Sequence, residues 1–362
     1  MPDQTTIAAL SVAVGANVPV IVWGPPGCGK TTTVTAMAQA NGWPLEVVIA
    51  SIREPSDFAG LPHVRDEGVV LAAPRWAERL AEQGHGLLFL DELSTAAPSV
   101  QAALLRVPIE RTVGDLALPG EVRIVAAANR QDEAAGTWDL SAPMANRFCH
   151  LPWDPSPRDI ADGFIDGFPV PEIAKLPSDW EDGVADHLAN IGTFLRHRPE
   201  LAVALPEDNA TAGRAWPSPR SWEMAARLLA AAEAADIDER AVALLIAGAV
   251  GAGPSLEYLS WRRDPDLPDP EYVLEHPDEL EVPQRNDRAL AVLSSVVAAV
   301  ANNPTAQRWG QGWSVVQRYL DVGRDDVAAL GARKLARCRP DDAPANATIE
   351  ALLPILEEAG LA

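Results

Sequence analysis

One short glycine-rich segment constrains the fold of this chain more than any other feature. Residues 24–31 are Gly-Pro-Pro-Gly-Cys-Gly-Lys-Thr, a complete GxxxxGK[ST] pattern. The segment directly follows the apolar run 19–23 and precedes a helical stretch that begins near Lys30. In a strand, turn and helix of this kind, backbone N–H groups and the helix N-terminus point at phosphate. The segment therefore predicts a phosphate-binding loop rather than a turn that only joins a strand to a helix.

The residue types of this loop suit a nucleotide bound with magnesium. Lys30 is expected to reach the β- and γ-phosphates, and the Thr31 hydroxyl is expected to ligate Mg²⁺. Cys28 stands at a variable position of the pattern, so its thiol is expected to be incidental rather than a redox switch. The residues predicted to bind the nucleotide are consecutive: Gly24, Pro25, Pro26, Gly27, Cys28, Gly29, Lys30, Thr31 and Thr32.

A second apolar run, in residues 86–93, ends in two carboxylates. Asp91 at the end of this predicted strand can hold Mg²⁺ together with Thr31, and Glu92 can polarise the water that attacks the γ-phosphate. An Asp-Glu pair after an apolar run is often only a solvated strand end, but its pairing with the loop favours catalysis. No NKxD-type guanine signature is present, so the sequence predicts ATP hydrolysis with Thr31 and Asp91 as metal ligands.

Two further polar residues accompany predicted strands. Asn129 ends the run 126–130, where its amide can orient the attacking water; the alternative is a turn-forming asparagine that caps the strand by local hydrogen bonds. Arg147 lies between a short predicted helix and the last strand of the sheet. It can serve as an arginine finger toward a neighbouring subunit's nucleotide, or it can be a surface arginine in an ion pair.

Arg220 is predicted to lie in the first turn of a helix. Ser218 is a good N-cap residue, and Pro219 suits the first helical position. The helix dipole does not favour a cation there, so an anion is expected to compensate. The γ-phosphate of a nucleotide is the preferred candidate, and a carboxylate in a plain salt bridge is the alternative.

Residues 1–153 alternate short β-like runs with helical stretches, which is typical of a parallel sheet covered by helices on both faces. This part is predicted to be the αβα nucleotide-binding domain. The segments 63–71 and 111–122 look like two β-hairpin insertions, which are placed to contact a client or partner protein. The predicted strands are 19–23, 45–51, 86–91, 122–128 and 149–153, and the predicted helices are 5–15, 30–41, 75–83, 97–107 and 141–147.

The rest of the chain is predicted to be helical. Residues 154–260 are assigned to a helical lid domain that carries Arg220, and residues 261–362 to an acidic linker with a C-terminal helical extension. The stretch 262–283 is crowded with Pro, Asp and Glu, which indicates a solvated linker or an irregular loop. Trp309 and Trp313 are spaced to form a packed helix face. The predicted helices are 180–198, 219–235, 238–250, 287–302, 305–321, 325–338 and 347–359.

Composition narrows the choice of partners and compartment. The chain has 362 residues with 51 acidic and 29 basic side chains, a formal charge of −22 that repels nucleic acid and anionic membrane surfaces. Three cysteines without CxxC spacing suit a reducing cytosol, and no signal-peptide pattern or membrane-spanning stretch is evident. We therefore expect a cytoplasmic protein that binds neither membranes nor nucleic acid.

Together these motifs resemble the MoxR family of AAA+ ATPases, over roughly residues 10–155 and 216–235. The cues beyond the phosphate loop are DFAGLP at 57–62, the run 90–120, AAANR at 126–130, NRF at 146–148 and SPR at 218–220. The resemblance implies an α/β P-loop AAA+ core with a five-stranded parallel sheet of order 5-1-4-3-2, followed by a helical lid. By the same resemblance, Lys30 and Thr31 belong to Walker A, Asp91 and Glu92 to Walker B, Asn129 is sensor 1, Arg147 the arginine finger and Arg220 sensor 2.

The resemblance also implies partners. Proteins of this family typically form hexameric rings and act as chaperones that activate a client protein. They commonly work with a partner that has a von Willebrand A-type fold. The chain is therefore predicted to form a homo-oligomeric ring, with a client protein and an A-domain protein as expected partners.

Two other functions stay open on sequence grounds. A nucleotide-gated assembly scaffold would bind ATP with negligible turnover, but the Asp91-Glu92 pair and Arg147 disfavour it. A nucleic-acid translocase would need a basic pore, which the net charge of −22 disfavours.

Overall fold

The computed structural model describes residues 3–66, 68–130, 138–263, 268–340 and 342–343. Four of the five long apolar runs of the N-terminal half form strands that are largely buried, and the run at 45–51 forms an edge strand that is partly exposed. In chain order the strands are β1 Val20–Trp23, β2 Leu45–Ile49, β3 Leu61–Arg65, β4 Gly68–Ala72, β5 His85–Asp91, β6 Thr112–Val113, β7 Leu116–Ala117, β8 Glu121–Ala128 and β9 Cys149–Pro152.

Five of these strands form one parallel sheet in the order β2-β5-β8-β1-β9. When only the sheet strands are numbered along the chain, this order is 2-3-4-1-5, which is 5-1-4-3-2 from the opposite edge. The predicted fold class and strand order are confirmed. Because β5, β8 and β1 are parallel neighbours, the segments that follow them emerge at the same edge of the sheet.

Both predicted hairpins are confirmed as two-stranded antiparallel sheets, β3 with β4 and β6 with β7. The first one carries apolar side chains that are largely exposed. Leu61 is 62% exposed, Val64 80% and Val69 65%. Val64 pairs directly with Val69, so these two side chains form one apolar patch near the tip of the hairpin.

The helices agree with most of the sequence prediction, but the predicted helix 97–107 is divided into two helices. The helices that were not predicted are Ser56–Ala59, Pro157–Asp166, Asn209–Ala212, Ala252–Arg263 and Pro270–Glu275. None of the described helices is both long and apolar enough to cross a membrane. The helices are α1 Gln4–Gly15, α2 Lys30–Ala40, α3 Ser56–Ala59, α4 Arg75–Gln83, α5 Pro98–Leu104, α6 Arg106–Glu110, α7 Ala142–Ala145, α8 Pro157–Asp166, α9 Gly183–His197, α10 Asn209–Ala212, α11 Pro219–Ala234, α12 Glu239–Val250, α13 Ala252–Arg263, α14 Pro270–Glu275, α15 Asn286–Asn302, α16 Ala306–Asp321 and α17 Asp325–Arg337. Short 3₁₀ turns occupy Ala50–Ile52, Leu93–Thr95, Trp180–Asp182, Pro199–Leu201 and Pro277–Glu279.

The chain divides into two compact units, residues 1–251 and 252–362. The first contains the sheet, both hairpins and the helices through α12, with a core of buried residues from β1, β5 and β8 and from the helices that cover them. The second is a helical unit with a separate apolar core. The predicted domain limits at residues 153 and 260 stay predictions.

The prediction that residues 262–283 are a solvated linker or irregular loop is wrong for their described part. Helix α14 and the 3₁₀ turn at Pro277–Glu279 lie there. Val273, Leu274 and Leu280 are only 2%, 1% and 6% exposed and belong to the core of the second unit. Pro and acidic residues dominate the composition of this stretch, but a few well-spaced apolar side chains are enough to anchor it.

The predicted packed face of Trp309 and Trp313 is confirmed. These side chains are 0% and 1% exposed, and their rings meet edge to face at a centroid distance of 5.7 Å. Such aromatic pairs add stability beyond the area they bury. The predicted helix 347–359 lies outside the described residues.

Candidate nucleotide-binding site

The glycine-rich segment 24–31 joins β1 to α2, as its sequence predicts. Gly27 and Gly29 have φ angles of 77° and 88°, in the left-handed region where a side chain would be strained. Lys30, the first residue of α2, is 8% exposed and folds back over the loop. Its Nζ donates to the carbonyl oxygens of Gly24 at 2.6 Å and Pro25 at 2.9 Å. The loop thus holds an ammonium group at its centre.

Gly24 is required for a different reason, the close approach of a neighbouring strand end. A Cβ at this position would overlap the carbonyl oxygen of Trp153 and lie 3.0 Å from its carbonyl carbon. Trp153 is itself fully buried, and its indole Nε1 donates to the carbonyl oxygen of Cys28 at 3.2 Å. The backbone and the indole of Trp153, the residue after β9, therefore both contact the phosphate loop and hold it in place.

Replacement of Gly24 by Ala is expected to destabilise the protein, because the overlap is with backbone atoms that cannot rotate away. We expect a loss of about 1–3 kcal/mol in the free energy of unfolding, together with weakened nucleotide binding. Urea denaturation and titration with a fluorescent ATP analogue measure the two effects. Gly120→Ala is the matched control, because a Cβ at Gly120 meets no atom within 4 Å. Equal stability of the two variants would contradict the packing argument.

Thr31 and Asp91 are brought together by the parallel pairing of the sheet. The Thr31 hydroxyl donates to Asp91 Oδ2 at 2.7 Å. Hydroxyl and carboxylate oxygens are ligands that Mg²⁺ accepts, and Mg²⁺ usually takes only one or two protein ligands plus phosphate oxygens and waters. The residues present therefore fit a magnesium ion that is bound with a nucleotide. Among the described residues, no cluster of three or more His, Cys, Asp or Glu side chains could hold a metal ion by itself.

Glu92, the residue after β5, has an unusual backbone conformation. Its φ and ψ angles are 55° and 39°, in the left-handed region, which costs energy for a residue with a Cβ. Its backbone N–H donates to Asp91 Oδ1 at 2.9 Å, and its Oε2 accepts a hydrogen bond from the Ser51 hydroxyl. The turn thus points two adjacent carboxylates in different directions, one toward Thr31 and the other toward Ser51.

Asn129 follows β8 and contacts the phosphate loop rather than its own turn. Its Oδ1 accepts from Lys30 Nζ at 2.9 Å, and its backbone N–H donates to Ser94 Oγ at 3.0 Å. Ser94 is 1% exposed, so this anchor is fixed within the core. The contacts favour the interpretation of Asn129 as a polar group facing the phosphates over that of a strand cap.

These residues line a cavity of about 250 Å³ that is mostly polar. Of the predicted nucleotide-binding residues, Gly24 and Pro25 lie outside its lining and contribute carbonyl groups to Lys30 instead. The lining residues are Pro26, Gly27, Cys28, Gly29, Lys30, Thr31, Thr32, Asp91, Glu92, Ala127 and Asn129.

A second, apolar cavity of about 400 Å³ adjoins the first. The two share part of the loop, including Cys28 and Thr32. The opposite wall comes from α8 and the segment after it, where Phe164 is 78% exposed and Val170 54%. A polar cavity beside an apolar one matches the two halves of a nucleoside triphosphate. The sequence analysis did not identify this wall of the cavity, because α8 was not predicted.

Cys28 lines both cavities, which makes its thiol a reporter of nucleotide binding. Burial raises the pKa of this thiol, and the nearby Lys30 ammonium lowers it in part. Burial also raises the pKa of Cys149, which is fully buried and so protected from reagents. Cys338 is partly exposed and is best removed by Cys338→Ser.

In a Cys338→Ser background, MgATP is expected to slow alkylation of Cys28 by iodoacetamide. Because the thiolate is the reactive form and the pKa is raised, the rate without nucleotide should increase about tenfold per pH unit up to that pKa. Mass spectrometry of quenched samples measures both effects. Lys30→Ala, which removes the cation of the loop, should abolish the protection. An unchanged rate with saturating MgATP would show that the nucleotide does not cover Cys28.

Arg147 and Arg220 lie together, but neither lines the phosphate cavity of its own chain. Burial and the charge of Arg220 lower the pKa of Arg147, and the Glu110 carboxylate acts in the opposite direction. Arg147 Nη1 donates to the carbonyl oxygen of Pro143 at 2.6 Å, and its buried Nε has no hydrogen-bond partner in the described part of the chain. Arg220 Nη1 lies 3.5 Å from Asn146 Oδ1. The predicted N-cap at Ser218 is confirmed.

The salt-bridge alternatives for both arginines receive no support. Within the described ranges, neither guanidinium has a carboxylate at ion-pair distance. Among the described residues, these two like charges are therefore held side by side without a carboxylate in direct ion-pair contact.

Sequence reasoning missed several polar residues of the site. Ser51 and Ser94 hold Glu92 and Asn129, and Asn146 contacts the turn that carries Arg220. Ser51 and Asn146 lie within segments that the sequence analysis had identified, the strand 45–51 and the triplet 146–148, but no role was predicted for either residue. No pattern in a single sequence distinguishes Ser94 from other serines.

Comparison with known families agrees with this geometry. Residues 19–148 match the model of the AAA domain, dynein-related subfamily. The matched region begins at β1, contains the phosphate loop, both carboxylates and Asn129, and ends at Phe148, one residue after Arg147. The match covers four of the five strands of the sheet, since β9 begins at Cys149, and it leaves out the helices that follow the sheet.

Each curated relative matches less than half of the chain. Protein MoxR of Methylorubrum extorquens is 31% identical over 162 residues, which are 43% of this chain and 46% of the relative. Protein MoxR of Paracoccus denitrificans is 32% identical over 150 residues, 40% of this chain and 43% of the relative. ATPase family gene 2 protein homolog B of Rattus norvegicus is 37% identical over 134 residues, 35% of this chain and 17% of the relative.

This chain therefore spans less than half the length of each of these relatives. The family match ends before the helices that follow the sheet, so it bears on the sheet domain and not on those helices. The predicted resemblance is confirmed, because residues 19–148 match an AAA domain and the chain is similar in sequence to two MoxR proteins.

Proposed function

We propose that the chain is a subunit of a ring-forming ATPase that binds MgATP, hydrolyses it, and uses the cycle to remodel a protein partner. The observation that carries the proposal is the convergence of five side chains on one polar cavity, those of Lys30, Thr31, Asp91, Glu92 and Asn129. These side chains are the cation, the metal ligands, the water-orienting amide and the general base that phosphoanhydride hydrolysis needs.

The phosphate loop is proposed to bind the triphosphate by exchanging contacts it already makes. Lys30 donates to two loop carbonyls and to Asn129, and phosphate oxygens can replace these acceptors without moving the ammonium far. A bound Mg²⁺, held by Thr31 and Asp91, would neutralise charge on the β- and γ-phosphates. The apolar cavity beside Cys28 is proposed to take the nucleoside.

Glu92 is proposed to accept the proton of the attacking water. In the described conformation its carboxylate accepts the Ser51 hydroxyl, so it must leave this contact, or share it, to reach the water. Asn129 is fixed by Ser94 and can orient the same water. The site is thus prepared for catalysis but holds its base on a neighbouring serine.

The two arginines support a proposal of assembly. Arg147 and Arg220 lie outside the phosphate cavity of their own chain, and their mutual repulsion calls for an anion. The γ-phosphate bound by a neighbouring copy is an anion of suitable charge. We infer that both arginines act in trans, which makes each site complete only between two subunits of a ring.

The proposal of a protein partner depends on the first hairpin and on charge. The patch formed by Val64 and Val69 is exposed on a two-stranded sheet, as a protein contact surface requires. The net charge of −22 disfavours nucleic acid as the substrate. A partner with a von Willebrand A-type fold and a hexameric state are the further expectations that follow from the family resemblance.

Size-exclusion chromatography with light scattering, combined with phosphate release, tests the ATPase and ring proposals. Wild-type protein with Mg²⁺ and ATP is expected to form a ring and to release phosphate. A ring that forms with ATP but releases no phosphate would favour the nucleotide-gated scaffold. A monomer without turnover under any nucleotide would overturn both the ring and the trans role of the arginines.

The remodelling proposal needs a separate test. A photo-crosslinking amino acid at Val64, in the presence of ATP, should capture the partner in cells. The captured protein, once purified, should stimulate phosphate release and change its own protease cleavage pattern only while ATP is hydrolysed. Stimulation without any change in the partner would contradict remodelling and leave a purely regulatory interaction.

A further inference from the structure

Asn146, the residue before Arg147, has a side chain with three polar contacts and almost no exposure. It is 3% exposed. Its Nδ2 donates to the carbonyl oxygen of Trp216 at 3.0 Å, and its Oδ1 accepts from the Ser218 hydroxyl at 2.7 Å. Arg220 Nη1 lies 3.5 Å from the same Oδ1. All three contacts go to the turn that begins α11.

The partners of this amide fix its orientation. A carbonyl oxygen only accepts and a guanidinium only donates, so Nδ2 must face Trp216 and Oδ1 must face Arg220. Neither Asp nor a hydroxyl residue offers a donor and an acceptor in this arrangement. The role is therefore specific to a carboxamide.

Ser218 connects the amide to the start of α11. Its side chain caps the helix by accepting from the Ser221 backbone N–H, and its hydroxyl hydrogen goes to Asn146. The Ser221 hydroxyl in turn donates to the Trp216 carbonyl that Asn146 Nδ2 also contacts. The first turn of α11 and the segment 146–147 are thereby joined by a closed set of hydrogen bonds.

The hydrogen bonds of Asn146 oppose the electrostatic repulsion between Arg147 and Arg220. Arg220 contacts Asn146, the residue before Arg147, so two guanidinium groups of like charge are held close together. Burial, and then the charge of Arg220, lower the pKa of Arg147, in agreement with this proximity. Without a tether, the repulsion would separate Arg220, which is exposed, from Arg147, which is half-buried. Asn146 is placed to prevent that separation, because it is covalently next to Arg147 and hydrogen-bonded to the turn that carries Arg220.

We propose that Asn146 is a positioning residue that holds Arg147 and Arg220 as one anion-binding unit for the γ-phosphate of a neighbouring subunit's nucleotide. This inference rests on the proposed function and deepens it. In this arrangement the sheet domain presents Arg147 and α11 presents Arg220 at the same place. A shift of α11 against β9 therefore changes the positions of both arginines. Turnover in the neighbouring site then depends on a residue that touches no nucleotide.

The test compares Asn146→Ala, Asn146→Asp and Ser218→Ala with wild type in the full-length chain. Asn146→Ala is expected to lower kcat for ATP by roughly tenfold to a hundredfold, because misplaced groups lose most of their effect. The Kd for a fluorescent ATP analogue should stay within about twofold, because the chain's own phosphate cavity is untouched. Asn146→Asp should not rescue kcat, since it loses the donor to Trp216 and pairs its charge with Arg220.

Asp238→Ala is the matched control. Asp238 caps the next helix, α12, by accepting from the Ala241 backbone N–H at 2.8 Å. Loss of this cap in Asp238→Ala should lower Tm about as much as Ser218→Ala does, and it should leave kcat unchanged. If Asn146→Ala does not fold, Ser218→Ala carries the test, because it removes the shorter of the two hydrogen bonds between Asn146 and the turn and keeps the amide.

Mixed rings give a readout that a merely structural role would not move. Asn146→Ala subunits have intact Walker residues, and Glu92→Gln subunits have intact arginines. Their mixture is expected to release phosphate faster than the sum of the two alone. If Asn146 acts only through the two arginines, its replacement by Ala should not lower kcat further in an Arg147→Ala/Arg220→Ala background.

A wild-type kcat in both Asn146→Ala and Ser218→Ala, while Arg147→Ala loses turnover, would overturn the positioning role. So would a loss of kcat in Asp238→Ala equal to that in Ser218→Ala. Absence of turnover in wild type, or wild-type turnover in Arg147→Ala, would overturn the proposed function itself. The two failures are therefore distinguishable.

Discussion

Replacement of Glu92 by Gln is expected to lower the turnover number for ATP by about 10²- to 10⁴-fold, the usual contribution of a general base. Gln keeps the size of the side chain and can still contact the Ser51 hydroxyl, but it cannot accept a proton from water. Lys30, Thr31 and Asp91 are unaffected, so MgATP should bind as tightly as before. The variant should hold ATP and keep the ring assembled. Phosphate release, nucleotide titration and light scattering measure the three effects.

Glu82→Gln is the matched control for this prediction. Glu82 is an exposed glutamate on α4 that lines neither cavity of the site. It should retain wild-type turnover. A Glu92→Gln variant with more than half of the wild-type activity would mean that another group accepts the proton, and the assignment of the base would be wrong.

Replacement of Arg147 by Ala is expected to lower turnover by about 10³- to 10⁵-fold, the effect of removing an arginine finger. In the proposed ring, the lost charge faces the γ-phosphate of another subunit, so the variant's own nucleotide binding should be nearly unchanged. Turnover should reappear when Arg147→Ala and Glu92→Gln subunits are mixed, because some interfaces then combine an intact base with an intact arginine. Steady-state phosphate release at varied mixing ratios measures this complementation.

Arg75→Ala controls for the general loss of a positive charge. Arg75 is a surface arginine, 74% exposed, in an ion pair with Glu78. It should behave as wild type, since exposed pairs of this kind contribute little. If Arg147→Ala also reduced MgATP binding to its own subunit and no mixture recovered turnover, Arg147 would act within its own chain.

Much of the nucleotide site could be predicted because its parts are local in sequence. The phosphate loop needs only a strand, glycines with positive φ and a helix N-terminus, and all of these lie between residues 19 and 40. The pair Asp91 and Glu92 is found from an apolar run that ends in charge. A parallel sheet then brings separate strand ends to one edge, so the proximity of Thr31 and Asp91 follows from topology.

Segments with weak periodicity could not be predicted in the same way. Helix α8 begins with a capping box at Ser156 but carries mostly exposed side chains, so its apolar residues follow no core-facing pattern. In the stretch 262–283, the acidic residues and prolines masked the three apolar residues that anchor it. Composition describes the average environment of a segment, whereas burial depends on a few side chains.

The sequence by itself determined the phosphate loop, the paired carboxylates and the parallel sheet, because each depends on neighbouring residues or on the alternation of strands and helices. Only the tertiary structure decided which distant groups meet. Ser94 reaches Asn129, Ser51 reaches Glu92, and Asn146 reaches a turn that begins 70 residues later in the chain. Such contacts depend on how whole elements pack, and packing leaves no local signal when the residue is a common serine or asparagine.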